Sequence, residues 1–198
     1  MENYKLVLAS QSPRRIELLK MLGLEFEVTP AHIDESKFKI VDPSELVLRL
    51  SYEKAFSNWT NYNNQHIVLG ADTIVYINDE ILGKPQDKTD AMAMLNKLSN
   101  RWHKVVTGIA LLSTDEHAEI SAIQAYEETE VHFRKLDLSE IEYYTNTIEP
   151  YDKAGSYALQ GLGGCFIDKI NGCYANVIGL PLVKTVNALR QKGIKILG

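Results

Sequence analysis

The 198 residues carry 26 acidic and 21 basic side chains, a net charge of −5 and a pI near 5.6, which excludes bulk nucleic-acid binding by a basic surface. With 45% hydrophobic and 24% charged residues the composition is that of an ordinary globular protein, and the length fits one large domain, residues 1–198, or two lobes sharing one core. No apolar run approaches the ~20 residues of a membrane span, and MENYKLVLAS lacks a signal peptide's layout, so the expected address is cytoplasmic.

Leu6 to Ala9 is a short apolar run that predicts a buried strand. Ser12 then suits a helix N-cap and Pro13 the first helical position, with Ile16, Leu19 and Leu22 at helical spacing. Residues 25–30 read as a second strand. Residues 43–62 open with Asp42-Pro43, carry Leu46, Leu50 and Ala55, and predict a long amphipathic helix. Residues 66–85 predict a buried strand, a break from Gly70 to Thr73, and a hairpin turning at Asn78-Asp79. A helix over 87–99 aligns Ala91, Met94, Leu95 and Leu98 on one side. Residues 103–113 and 127–136 read as strands, and 138–147 as a short helix.

The chain is expected to close with a hairpin turning at Asn171-Gly172 and a final helix from near Pro181. Ile170 would face Cys173 across that turn and Cys165 would lie opposite Ile178. Both cysteines therefore read as reduced, core-type residues. Helices and strands alternating in this way imply an α/β fold on a mixed sheet.

Arg14 and Arg15 fall in the first turn of the first helix. Backbone N–H groups make that end positive, so each cation there costs about 0.3–1 kcal/mol. Either the pair is solvated, with Glu17 offsetting some charge, or the turn holds an anion. Ser10 and Ser12 hydroxyls, helix N–H groups and guanidinium forks together suit phosphate oxygens.

Asp72 follows the apolar Ile67-Val68-Leu69 and is either a turn-capping residue or a chemical one. Asp34 and Glu35 form a second acidic point, and two such points could share a divalent cation with substrate phosphates. Lys54, Lys84 and Lys153 read as surface lysines or ligand contacts. The glycine-rich "QGLGG" at 160–164 matches neither the Walker pattern nor a dinucleotide fingerprint, and the scattered histidines speak against a zinc enzyme.

Taken in order, "LASQSPRRIELL", "GADTIV", "LGKPQD", "TGIALL", "TEVHFRKL", "EPYDKAGSYALQG" and "NVIGLPL" resemble the Maf family of nucleoside triphosphate pyrophosphatases. The resemblance runs from Leu8 to Leu182. It implies a metal-assisted enzyme, using Mg or Mn, that cuts a nucleoside triphosphate between its α- and β-phosphates. It also implies a mixed, twisted central sheet flanked by helices, with two lobes around a cleft, similar to the inosine triphosphate pyrophosphatase fold.

By the same resemblance Ser10, Ser12, Arg14, Arg15, Lys54 and Lys84 bind substrate, Asp72 is the base, and Glu35 and Asp72 are the metal ligands. Whether Asp72 takes a proton or holds metal stays open at this point. Arg14, Thr73 and Gln160 form the set that resembles the dTTP/UTP branch. The implied partner is the nucleotide, with no nucleic acid and no membrane, and the resemblance admits a homodimer. Two other readings compete: a phosphatase or kinase using the same turn, for which no nucleophile or Walker motif is present, and a non-enzymatic nucleotide-binding regulator of cell division.

Overall fold

A computed structural model describes residues 4–38, 40, 42–62, 65–114 and 119–196. Strand β1 (Lys5–Ala9) is apolar along nearly its whole length because it has parallel partners on both sides. Leu6 pairs with Phe26 of β2 (Phe26–Val28) and with Ile67 of β3 (His66–Ile77). The remaining elements are α1 (Pro13–Lys20), α2 (Pro43–Trp59), β4 (Glu80–Leu82), α3 (Lys88–Leu98), β5 (Trp102–Thr114), β6 (Ile120–Phe133), α4 (Leu138–Thr145), β7 (Ile167–Asn171), α5 (Tyr174–Ile178) and α6 (Leu182–Gln191).

The seven strands form a mixed sheet in the order β2-β1-β3-β5-β6-β7, with β4 on β3. Strands β4 and β7 run antiparallel to β3 and β6. Helices flank the sheet, as the alternation of elements predicts. Among the described residues no helix is long and apolar enough to cross a membrane.

The chain divides into two compact units, each built from separate stretches. The first comprises Met1–Asp72, Thr107–Glu127 and Gly179–Gly198; the second comprises Thr73–Val106 and Glu128–Ile178. In the first unit α2 lies directly on the strands. A Cβ added at Gly70 would stand 2.6 Å from the Ala55 backbone nitrogen, and one at Gly108 would strike the Val47 backbone. These two glycines let the helix approach, and Ala55 then packs with Val7, Ala9, Val68 and Leu112.

The second unit has its own core around Phe133, with Val75, Leu95, Leu98, Val131, Ile141 and Phe166. The Phe133 ring meets His103 and Tyr157 edge-on, at centroid distances of 5.0 and 4.7 Å.

Three expectations are corrected. Strand β3 continues through Gly70 to Thr73 without a break. Gly70 serves helix approach and not a turn, and the charge of Asp72 is met by a neighbouring side chain, so nothing interrupts the ladder. Strand β6 starts at Ile120, well before residue 127, with alternating exposure along its first half.

The closing hairpin is absent. Residues 174–178 are helical, and Ile170 pairs with Val131 of β6. Gly172 does turn the chain, at φ 131°. The turn is closed from the sheet: the Cys173 N–H donates to Thr129 Oγ1 of β6 at 3.0 Å, and Asn176 Nδ2 donates to the Val105 carbonyl of β5 at 2.9 Å. The expected register for the cysteines fails with it. Both are free, as expected, but Cys165 is exposed and Cys173 only partly buried. The Asn78-Asp79 hairpin stands, with both residues at positive φ.

Candidate active site

Strand β1 ends at Ala9 and α1 begins at Pro13, so Ser10 to Ser12 form the strand-to-helix turn. Ser12 sits at the N-cap in extended backbone, but its hydroxyl makes no capping bond; its N–H donates to Ser10 Oγ at 3.2 Å. The first turn of α1 contains no acidic residue, so nothing within that turn offsets the placement of Arg14 and Arg15 on the positive helix end.

Arg15 is held in place by the fold. Its Nε donates to the Gly179 carbonyl at 2.8 Å and its Nη1 to Ser10 Oγ at 3.4 Å. Burial lowers its pKa; Asp72 opposes that shift and Arg14 reinforces it.

Lys54 lies on α2, on the face that meets the sheet. Asn58, four residues on and therefore on the same face, is buried and donates from Nδ2 to the Pro30 carbonyl at 3.1 Å. That bond pins the segment leading to Glu35 against α2. Glu35 opens a short 3-10 turn over Glu35–Lys37. Asp34 caps the turn, its carboxylate accepting the Ser36 N–H at 3.2 Å and hydroxyl at 2.6 Å. Asp34 is thus spent on the turn, and Glu35 alone reaches Lys54.

The Lys54 ammonium stands 2.7 Å from Glu35 Oε1 and also donates to Asp72 Oδ1. The Lys54 and Asp72 side chains are only 14% and 8% exposed, whereas Glu35 is 55% exposed. Burial pushes the Asp72 carboxyl pKa up; Lys54 and then Arg15 pull it back, and Glu35 adds a small upward push. The result is a carboxylate poised between charge stabilisation and desolvation.

Glu35 and Asp72 converge on one point, held here by the Lys54 ammonium. Their donors are all carboxylate oxygens, which fit Mg²⁺ or Mn²⁺; such ions take one or two carboxylates and complete the shell with water and phosphate oxygens. Among the described residues no group of three or more His, Cys, Asp and Glu side chains gathers as a ready-made metal site.

The first unit therefore brings together Ser10, Arg15, Glu35, Lys54 and Asp72, with Arg14 and Ser12 in the same turn. Thr73, Lys84 and Gln160 belong to the second unit. Thr73 is partly buried on β3, and Lys84 and Gln160 are exposed. Lys153 is tied down, its ammonium donating to the Glu149 carbonyl at 2.8 Å and to Asp152.

The "QGLGG" loop is not an open phosphate cradle. Its Leu162 and Gly163 N–H groups both donate to the Glu149 carboxylate, at 3.0 Å each. Asn58 and Glu149 were outside the sequence expectations. The four-residue spacing from Lys54 is a signal for Asn58; the only hint of Glu149 is its place in "EPYDKAG".

A family profile described as Maf-like protein matches residues 5–192. A dTTP/UTP pyrophosphatase of Acetivibrio thermocellus is 43% identical over 98% of this chain and 98% of its own length. Another of that name, from Thermosipho africanus, is 46% identical over 96% of this chain and 94% of its own. Among solved structures, a nucleoside-triphosphatase, dITP/XTP pyrophosphatase, from Mycobacterium abscessus aligns over 96% of this chain and 95% of its own, at 12% identity and TM-score 0.44.

Proposed function

The chain belongs to the Maf family, and on that premise we propose that it is a cytoplasmic enzyme that hydrolyses dTTP and UTP to the monophosphate and pyrophosphate. Relatives named dTTP/UTP pyrophosphatase, matching nearly end to end at 43% and 46% identity, support the substrate class. One structural observation carries the site assignment: Lys54 bonds both Glu35 and Asp72 beside the anchored Arg15.

The α-phosphorus of a nucleoside triphosphate is shielded by negative oxygens. Arg14, Arg15 and Lys54 supply positive charge to withdraw electron density from it, with Ser10 and Ser12 offering hydroxyl donors. Water attacks the α-phosphorus, the bond from it to the bridging oxygen breaks, and pyrophosphate leaves.

Asp72 accepts the proton that the water loses. Burial raises its pKa, which makes it a better proton acceptor than a solvated carboxylate, and the Lys54 ammonium opposes that shift by favouring the charged form. Glu35 and Asp72 would hold a divalent cation through their carboxylate oxygens, and that cation supplies Lewis-acid charge withdrawal when bound. Lys84 binds the polyphosphate. The Thr73 hydroxyl and the Gln160 amide, with Arg14, read the edge of the pyrimidine base.

A nucleotide panel scored for pyrophosphate tests this reading. In Mg²⁺ or Mn²⁺, dTTP and UTP should be turned over far faster than ATP or 7-methyl-GTP, since a pocket that hydrogen-bonds one base rejects a poor match strongly. Equal rates across the panel would overturn the base assignment. Orthophosphate in place of pyrophosphate, or binding with no turnover, would overturn the reaction.

A further inference from the structure

Gln160 is exposed, and among the described residues its amide makes no hydrogen bond to another side chain. With no partner to hold its amide, the reach of Gln160 is set by the place of the backbone that carries it. That backbone is set by the loop it enters. Gly161 adopts φ 149°, a conformation open to glycine and rarely to other residues, and the chain then folds around a carboxylate.

That carboxylate belongs to Glu149. Its Oε1 accepts the Gly163 N–H at 3.0 Å and the Tyr144 hydroxyl at 2.9 Å, and its Oε2 accepts the Leu162 N–H at 3.0 Å. Burial and the neighbouring carboxylate hold the Tyr144 phenol in its protonated, donating form. Consecutive loop N–H groups closing on an anion form the concavity that other proteins use for phosphate. Here an internal carboxylate fills it.

The glycines make room for the arrangement. A Cβ at Gly161 would stand 2.6 Å from Glu149 Oε2, one at Gly163 2.8 Å from the Tyr144 hydroxyl, and one at Gly164 2.6 Å from the Leu159 carbonyl.

We propose that Glu149 is a positioning residue for substrate selection: by clamping the Leu162 and Gly163 N–H groups it fixes the backbone from which Gln160 reaches. This rests on the reading that Gln160 contacts the pyrimidine. Glu149 touches no substrate; it acts through the loop. Its charge matters because three donors converge on it. A glutamine has one acceptor oxygen, and its amide group would face N–H groups with hydrogens of its own.

The test compares wild type, Glu149→Gln and Leu162→Pro in steady-state kinetics on dTTP and ATP. Leu162 is the first residue of a 3-10 turn, where proline is tolerated, and the substitution removes the N–H that Oε2 accepts. Both variants should lower the dTTP-to-ATP ratio of kcat/KM by roughly tenfold to a hundredfold, because small misplacements of a binding group carry losses of that size. The change should fall on KM for dTTP, with kcat kept within about threefold.

A purely structural role would lower the active fraction for both nucleotides alike and leave the ratio and KM unmoved. An unchanged ratio in whichever variant folds would overturn the proposal. If wild type itself shows no preference for dTTP, the Gln160 reading has failed first, and this proposal with it. A wild-type preference that survives in the variants overturns the clamp alone.

Discussion

Lys54 of α2 donates from one ammonium to two carboxylates, Asp72 on β3 and Glu35 in the turn after β2; the bond to Asp72 is the more deeply buried. Removing one member of a buried ion pair leaves the other uncompensated. Lys54→Met should therefore destabilise the protein by about 3 kcal/mol. Urea midpoints measure this directly, and Asp72→Asn added on top should restore part of the loss. A Lys54→Met protein as stable as wild type would mean that Asp72 needs no ammonium.

The two arginines of the opening turn should part company. Arg14→Ala should leave stability unchanged or raise it by about 0.3–1 kcal/mol, because a cation leaves a helix N-terminus. Arg15→Ala should lower stability by about 1–3 kcal/mol, since the Gly179 carbonyl and Ser10 hydroxyl lose a charged donor. Both should raise KM for dTTP. Equal melting behaviour of the two variants would contradict the difference between them.

The buried His103 predicts an acid weakness in the second unit. Its Nε2 lies 2.8 Å from the Tyr157 hydroxyl, and burial, with His132 adding to it, lowers its pKa from 6.5 to about 3. The unfolded chain binds a proton that the folded chain refuses. The stability from neutral His103 is thus complete above pH 6.5 and is lost as pH falls toward about 3, at up to ~1.4 kcal/mol per pH unit. Urea midpoints taken from neutral pH down to about 4 should show this slope, and His103→Gln should flatten it. Parallel slopes in both proteins would remove His103 from the account.

What was legible in the sequence was local. Ser12 and Pro13 mark the start of α1 because cap and first-turn preferences act within a few residues. Asn78-Asp79 marks a hairpin because both residues tolerate positive φ. Asn171-Gly172 carries the same kind of signal and misled, since the strand before it pairs with β6 and the Thr129 hydroxyl closes the turn from outside.

Asp72 looked like a strand end because a lone charge is costly inside a sheet; only the fold brings Lys54 to meet it. The members of the site were readable as a family pattern. Their physical ties were not: the grip of Arg15 on Gly179, of Asn58 on Pro30 and of Glu149 on the glycine loop all join residues distant in the chain.

Pyrophosphate release by Asp72→Asn, compared with wild type at saturating dTTP, tests the central claim most directly. The substitution keeps the side chain's shape and removes the proton acceptor, so turnover should fall about 10²–10⁴-fold while dTTP binding persists. Raising Mg²⁺ or Mn²⁺ should leave that loss in place if Asp72 serves as the base, and recover part of it if Asp72 chiefly holds the metal. Wild-type turnover in Asp72→Asn at ordinary metal concentration would contradict the account.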